Sequence, residues 1–178
     1  MTSGAPPKHA VVLAVHPFTR GMGWVAFEAP FSPYDWGIAC PKGDRSRWCR
    51  ERLAQLIQQL SPEVLVLETS KRPGAAESPR IRKLCQSFVS YARSQGVEVA
   101  IYSRQEVRSC FATVGAVTRQ EIAESIARHI GVFESLLPPP RKSWDSQHRH
   151  MSLFSAAALA MTHYQLEKLI SPDDYLEG

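Results

Sequence analysis

Residues 11–25 read VVLAVHPFTRGMGWV, and the prediction of the fold starts here. The apolar, β-branched run at 10–15 is typical of a strand buried on both faces of a sheet. Residues 16–23 hold a proline and two glycines and predict a turn, after which residues 24–28 resume a strand pattern. The stretch therefore predicts a β-hairpin whose first strand lies inside a sheet.

Further strands and helices follow along the chain. Short apolar runs predict three more strands, at 34–39, 64–67 and 97–102. Helical spacing of apolar residues, together with capping residues, predicts helices at 46–60, 80–95, 103–110, 118–129 and about 151–169. Three strands followed by alternating helix and strand predict an α/β fold, a mixed five-stranded sheet flanked by helices. We expect 10–15 at its centre, next to 64–68.

The length and composition predict one globular domain. The 178 residues are 44% hydrophobic and 21% charged, which excludes a disordered or fibrous chain. We expect the domain over 10–170, between a flexible tail at 1–9 and a second tail at 171–178. The longest apolar runs are too short to span a bilayer, and residues 1–9 lack the apolar core of a signal peptide. We therefore expect a cytoplasmic protein that has no membrane partner.

The charge balance indicates the kind of partner. The 21 Lys and Arg residues exceed the 17 Asp and Glu residues, and the resulting net charge is +4. A basic surface attracts polyanions, because binding phosphates releases their counterions. This excess favours a nucleic-acid partner but does not establish one.

The hairpin resembles the first hairpin of the RuvC-type Holliday-junction resolvases, in the ribonuclease-H-like superfamily. In that family a strand runs into Asp-Pro-Gly, followed by Ser or Thr, Arg, and a Gly-aromatic step. Residues that fit this pattern are Pro17, Thr19, Arg20, Gly23 and Trp24. Three other segments resemble the family in the same order, at 64–68 (VLVLE), 102–123 and 152–163. The resemblance implies a ribonuclease-H-like fold over nearly the whole chain.

The resemblance also implies a catalytic site, and this sequence departs from it. The family holds two Mg²⁺ ions with four acidic or histidine side chains. The matching positions here are His16, Glu68, Ser152 and Ser155, of which only Glu68 is acidic. Imidazole and hydroxyl groups make a poor site for Mg²⁺, which prefers carboxylate oxygens. The prediction is a catalytically degenerate, RuvC-like protein with a vestigial Glu68, which binds nucleic acid or acts within a larger complex.

Two other functions stay open at this point. The chain could be an active metal-dependent, structure-specific endonuclease with an altered ligand set. Glu68, His16 and His148 would then hold Mg²⁺ or Mn²⁺, whereas a degenerate protein needs no cofactor. Alternatively, the fold could serve as a protein–protein structural module.

Basic residues in several segments around the expected cleft are candidates for phosphate contact. They are Arg20, Lys71, Arg72, Arg80, Arg82, Lys83, Arg119, Arg141 and Lys142. Trp144, beside Lys142 in a proline-rich loop, is a candidate for stacking on bases, whereas Trp24 and Trp36 lie on strands and are expected in the core. The resemblance implies DNA rather than RNA as the partner, and a homodimer or a place in a larger complex.

Overall fold

Five strands of the described residues form one mixed sheet in the order β3-β2-β1-β4-β5. The computed structural model describes residues 10–69, 78–167 and 172–175. The strands are β1 (Val12–Phe18), β2 (Gly21–Ala29), β3 (Ser32–Ala39), β4 (Val64–Thr69) and β5 (Glu98–Ser103). The first three strands are antiparallel, whereas β4 and β5 run parallel to β1. The predicted mixed five-stranded sheet, with β1 at its centre and next to β4, is confirmed.

The α-helices of the described residues are α1 (Arg45–Leu60), α2 (Pro79–Ser94), α3 (Arg104–Ala112), α4 (Arg119–His129) and α5 (Met151–Leu166). Helices α3 and α4 begin where their capping residues predict. Ser103 and Glu106 form a capping box on α3, and Thr118 and Glu121 form one on α4. Each box satisfies backbone N–H groups at the start of a helix, which is why these two short helices begin sharply.

Alternating side chains on the strands divide the core into two layers. On β1, Leu13 and Val15 pack toward α1 and α2, whereas Val12 and Ala14 pack toward α3, α4 and α5. The same alternation on β4 places Leu65 and Leu67 in the first layer and Val64 and Val66 in the second. The sheet therefore carries helices on both faces, as its apolar strands require.

Helix α5 lies between the sheet and the pair α3 and α4, so nearly all of its side chains are buried. A helix that is apolar on every side needs cover on every side. Its first turn approaches β2 closely at Gly23, where a Cβ atom would lie 2.6 Å from the backbone carbon of Ser152. This approach explains why position 23 has no side chain.

The hairpin turn is shorter than predicted. It consists of Thr19 and Arg20 alone, because β1 continues through Phe18 and β2 begins at Gly21. Pro17 is tolerated in β1 because the pairing of β1 with β4 ends at Ala14, so only β2 is its partner there. Prolines and glycines often mark turns, but here they stand in strands.

The C-terminal segment contributes to the core, although the sequence predicts 171–178 as a tail. Within the described part of that segment, Tyr175 is buried and packs edge-on against Phe31 and Phe111. Its carbonyl oxygen lies 2.6 Å from Nε2 of His129. The aromatic contacts anchor residues 172–175 to α3, α4 and the turn between β2 and β3.

Of the helices in the described ranges, none has the length and hydropathy of a membrane span.

Candidate functional site

His16 and Glu68 meet at one end of the sheet, near the carboxyl ends of the inner strands β1 and β4. They continue the alternation of Ala14 on β1 and Val66 on β4, and those two residues are paired in the parallel register. Both side chains therefore project onto the α5 face, just beyond the core. The sequence predicts each of them at a strand end, and the structure brings them into contact.

The contact is a short polar pair in a half-buried position. His16 Nε2 lies 3.1 Å from Glu68 Oε2, and the two side chains are 13% and 22% exposed. Burial raises the pKa of the Glu68 carboxyl, but the hydrogen bond and charge of His16 and the charges of Arg104 and Arg108 outweigh it. The net pKa of Glu68 is lowered, so this carboxylate is ionised at neutral pH.

Three arginines line the same pocket as this carboxylate. Arg104 and Arg108 lie one turn apart on α3, and Arg119 begins α4. Together with Glu68 they line a pocket of about 40 Å³ whose back wall is apolar and is formed in part by Phe154. Three guanidinium groups beside one carboxylate leave the mouth of this pocket net positive, and guanidinium forks bind phosphate or carboxylate oxygens.

The two serine positions are close to this pocket but differ in their contacts. Ser155 lines the pocket together with Glu68. Ser152 is buried, and its hydroxyl donates to the carbonyl oxygen of Arg149 at 2.9 Å. Its backbone lies against Gly23, which pairs with His16 across the hairpin. The positions 16, 68, 152 and 155 therefore gather at one end of the sheet.

The side chains gathered there do not fit Mg²⁺ or Mn²⁺. Both ions favour several carboxylate oxygens, and Glu68 is the one carboxylate among the four positions. Ser152 already donates its hydroxyl hydrogen to a backbone carbonyl. Across residues 10–69, 78–167 and 172–175, no three His, Cys, Asp or Glu side chains come close enough to share a metal ion.

His148, the third predicted metal ligand, is exposed, and it is not close enough to both His16 and Glu68 to share a metal ion with them. Its ring packs edge-on against His150, with ring centres 4.6 Å apart, and its Nδ1 accepts from the backbone N–H of His150. Desolvation and the neighbouring positive groups His150, Arg149 and Arg20 lower its pKa. At neutral pH it is therefore an uncharged imidazole within a basic loop.

Two of the predicted phosphate-binding residues meet at Gln147. Arg20 donates to the Gln147 carbonyl oxygen and Arg119 to its side-chain oxygen, each at 2.9 Å. These bonds connect the β1–β2 hairpin, the start of α4 and the loop before α5. Three segments that are distant in sequence thus form one basic surface beside Glu68.

The same loop carries the predicted stacking residue. Trp144 is 77% exposed, and the Lys142 ammonium lies 5.4 Å from the centre of its ring. Arg141 and Lys142 are also exposed. Lys71 and Arg72 lie outside the described residues.

Arg80, another of the predicted phosphate contacts, forms hydrogen bonds within the protein. Its guanidinium donates to the Thr19 carbonyl at 2.9 Å and to the Ser46 hydroxyl at 3.2 Å. It therefore connects α2 to the hairpin turn. Sequence reasoning missed Arg104 and Arg108, although a spacing of four directly after a strand end could have indicated them.

The architecture is similar to solved resolvase structures. The chain aligns with the Thermus thermophilus RuvC structure at 20% identity and a TM-score of 0.62, over 89% of this chain and 96% of the other. T. thermophilus RuvC in complex with a Holliday junction substrate aligns at 18% identity and a TM-score of 0.64, over 90% and 96%. The yeast mitochondrial Holliday junction resolvase aligns at 13% identity and a TM-score of 0.60, over 98% and 86%.

The chain has the RuvC-type resolvase fold. The resemblance read from the hairpin is confirmed at the level of fold. No protein-family model matches the chain, and no curated protein sequence is significantly similar to it. In this RuvC-type fold, the pocket beside the ends of β4 and β5 is lined by one carboxylate, Glu68, and three arginines.

Proposed function

We propose that this chain is a catalytically degenerate, RuvC-like protein that binds branched DNA without a divalent metal ion. The observation that carries the proposal is the cluster of Arg104, Arg108 and Arg119 around Glu68. In support, the T. thermophilus RuvC of the same fold has been solved with a Holliday junction substrate.

The cluster supplies positive charge directly from side chains. Phosphate oxygens bind bidentately to guanidinium forks, and such charge-assisted hydrogen bonds are about twice as strong as neutral ones. Arg20, Arg141 and Lys142 extend this basic surface along the hairpin and the loop before α5. Contacts from several segments position a nucleic-acid backbone without reading its sequence.

The loss of carboxylates argues against hydrolysis at this site. Attack on a phosphodiester needs a nucleophilic water and a stabilised leaving oxygen, tasks that paired metal ions usually perform. Glu68 is engaged with His16, and its neighbours Arg104 and Arg108 are cationic. The geometry supports holding a phosphate near Glu68 better than it supports cutting one.

Binding of a labelled four-way junction, measured by fluorescence anisotropy in Mg²⁺ and in EDTA, tests the proposal. We expect similar affinities in both buffers, and a loss of about tenfold or more in the double variant Arg104→Ala plus Arg108→Ala, since each lost charged contact costs about 1 kcal/mol or more. Arg128→Ala is the control, because Arg128 is exposed at the opposite end of α4.

A cleavage assay on the same junction distinguishes the alternative. Binding that disappears in EDTA would show that binding requires a metal ion and would contradict the proposal. Cutting in Mg²⁺ or Mn²⁺ that Glu68→Gln abolishes would establish an active endonuclease instead. Absence of junction binding at low salt would favour the structural-module function. The proposal includes a homodimer, because a two-fold dimer matches a two-fold junction. It also includes a cytoplasmic location. Light scattering of the free protein tests the homodimer.

A further inference from the structure

Trp144 has the largest exposed fraction, 77%, among the large apolar side chains that the structure describes. The Lys142 ammonium lies 5.4 Å from the centre of its ring, and both residues belong to the loop before α5. So little of the ring is buried that packing in the core does not account for it. Its flat aromatic face is instead available to a ligand.

A closed turn presents this ring at the surface. The Asp145 N–H donates to the Lys142 carbonyl oxygen at 3.0 Å, and the Lys142 N–H donates to an Asp145 carboxylate oxygen at 3.2 Å. These two bonds leave Ser143 and Trp144 at the centre of the turn. Because this backbone is already ordered, less conformational entropy is lost when a ligand stacks on the ring.

The turn is also connected to the basic surface between the hairpin and α4. Gln147, three residues beyond Trp144, accepts one hydrogen bond from Arg20 and one from Arg119. His150 Nδ1 lies 2.9 Å from the Leu136 carbonyl oxygen and joins the two ends of the same loop. A ligand on Trp144 would therefore lie next to the surface that we propose for the DNA backbone.

The charge around Trp144 favours a polyanion. Arg141, Lys142 and Arg149 are exposed in the same loop. The opposite end of the sheet carries exposed carboxylates instead, around a pocket at the starts of β1, β4 and β5; they are Glu28, Glu63, Glu98 and Glu167. An aromatic face among basic residues is the arrangement with which proteins bind the bases and phosphates of unpaired strands.

An aromatic ring of this kind distinguishes unpaired bases from paired ones. Inside a duplex, the neighbouring base pairs cover both faces of each base, so side chains reach the base edges but not the faces. A base that has lost its partner exposes a face without the cost of breaking a pair. Contacts to phosphate alone do not make this distinction, because paired and unpaired strands both carry phosphates.

We infer that Trp144 is the stacking platform for an unpaired base of the bound DNA, with Lys142 beside it for the adjoining phosphate. The inference rests on the proposed function, because it takes DNA as the ligand, and it adds which DNA is preferred. Branched DNA with unpaired bases at the branch point should bind more tightly than DNA with the same phosphates and no base to stack. Every base has a flat face, so the preference is for structure rather than for sequence.

Two labelled four-way junctions, titrated with the full chain at the same salt concentration, test this inference by fluorescence anisotropy. One junction carries three unpaired thymines at the branch point, and the other carries three abasic sugars there, so that both have the same phosphates. We expect the thymine junction to bind about tenfold more tightly. Trp144→Leu should weaken binding of the thymine junction about tenfold and of the abasic junction less than about twofold, whereas Trp144→Phe should keep most of the preference.

Tyr34→Leu is the matched control variant, because Tyr34 is an exposed aromatic residue on β3 beside the acidic Glu28 and Asp35. It should change neither affinity. The thymine junction should also quench the tryptophan fluorescence of the wild type, and this quenching should be lost in Trp144→Phe although the junction still binds. Equal affinity of the wild type for the two junctions, or equal weakening of both by Trp144→Leu, would overturn the inference and leave the proposed function standing. No binding of either junction at low salt would overturn both.

Discussion

At the scale of single residues, Glu68 is the most informative side chain of this protein. It is the one acid at the four positions that the resemblance implies for metal binding, and it accepts the His16 hydrogen bond instead. Arg104 and Arg108 add positive charge next to it. These protein groups therefore stabilise the ionised carboxylate, which is what a bound metal cation would do in a metal site.

Glu68 should make the stability of the fold depend on pH. Because its pKa is lowered in the folded state, its contribution is fully present above its unfolded pKa of about 4.3, and it is lost as the pH falls through the lower folded pKa. We expect Glu68→Gln to reduce the free energy of unfolding by about 1 kcal/mol at pH 7, and we expect the reduction to shrink steadily as the pH falls below the unfolded pKa. Urea unfolding of both proteins across this pH range measures the difference, and a gap that stays constant with pH would contradict the prediction.

At the scale of secondary-structure elements, the packing of α5 on β2 positions the site. The helix brings Ser152 and Ser155 to the end of the sheet that holds His16 and Glu68. Its small residues at 155–158 allow this close approach, as the sequence predicts.

Gly23→Ala should separate α5 from β2. The new Cβ would lie 2.6 Å from the Ser152 backbone carbon, which cannot move without shifting the helix, so we expect a loss of about 1–3 kcal/mol in the free energy of unfolding. Gly131→Ala is the matched control, because a Cβ there meets nothing within 4 Å. It should change stability by less than about 1 kcal/mol. Equal effects of the two changes on denaturant unfolding would show that the close approach does not constrain position 23.

At the scale of the whole molecule, charge is divided between the two ends of the sheet. The carboxyl ends of the parallel strands face Arg104, Arg108 and Arg119, whereas their starts border a pocket rimmed by four glutamates. A net charge of +4 conceals this division. Such a distribution orients a polyanion toward one end of the molecule during association.

The salt dependence of DNA binding tests the basic end as a whole. Reversal of Arg141 and Lys142 to Glu should weaken binding to every DNA sequence. It should also reduce the magnitude of the slope of log K against log salt by about 1 to 2, because fewer phosphate contacts mean that fewer counterions are released on binding. Reversal of Arg93 and Arg128, at the far ends of α2 and α4, changes the net charge equally. If this control pair lowered the slope by the same amount, net charge rather than the loop before α5 would govern binding.

Local pattern alone determined much of the fold. The apolar runs of β1 and β4 and the capping boxes of α3 and α4 predict elements that the structure contains. Their order implies a mixed sheet with β1 at its centre, because parallel strands need helical crossovers and hairpins do not. These features depend on side-chain periodicity and local hydrogen bonds, which neighbouring residues specify.

Tertiary structure alone decided which distant side chains share a site. Arg104 and Arg119 share a pocket with Glu68 only because β5 pairs beside β4 and α4 packs on α5. Likewise, Gly23 pairs with His16 and Ile38 inside the sheet, and a helix from far along the chain covers it. Such placements depend on packing between segments that are far apart in sequence, and no local pattern of residues records that packing.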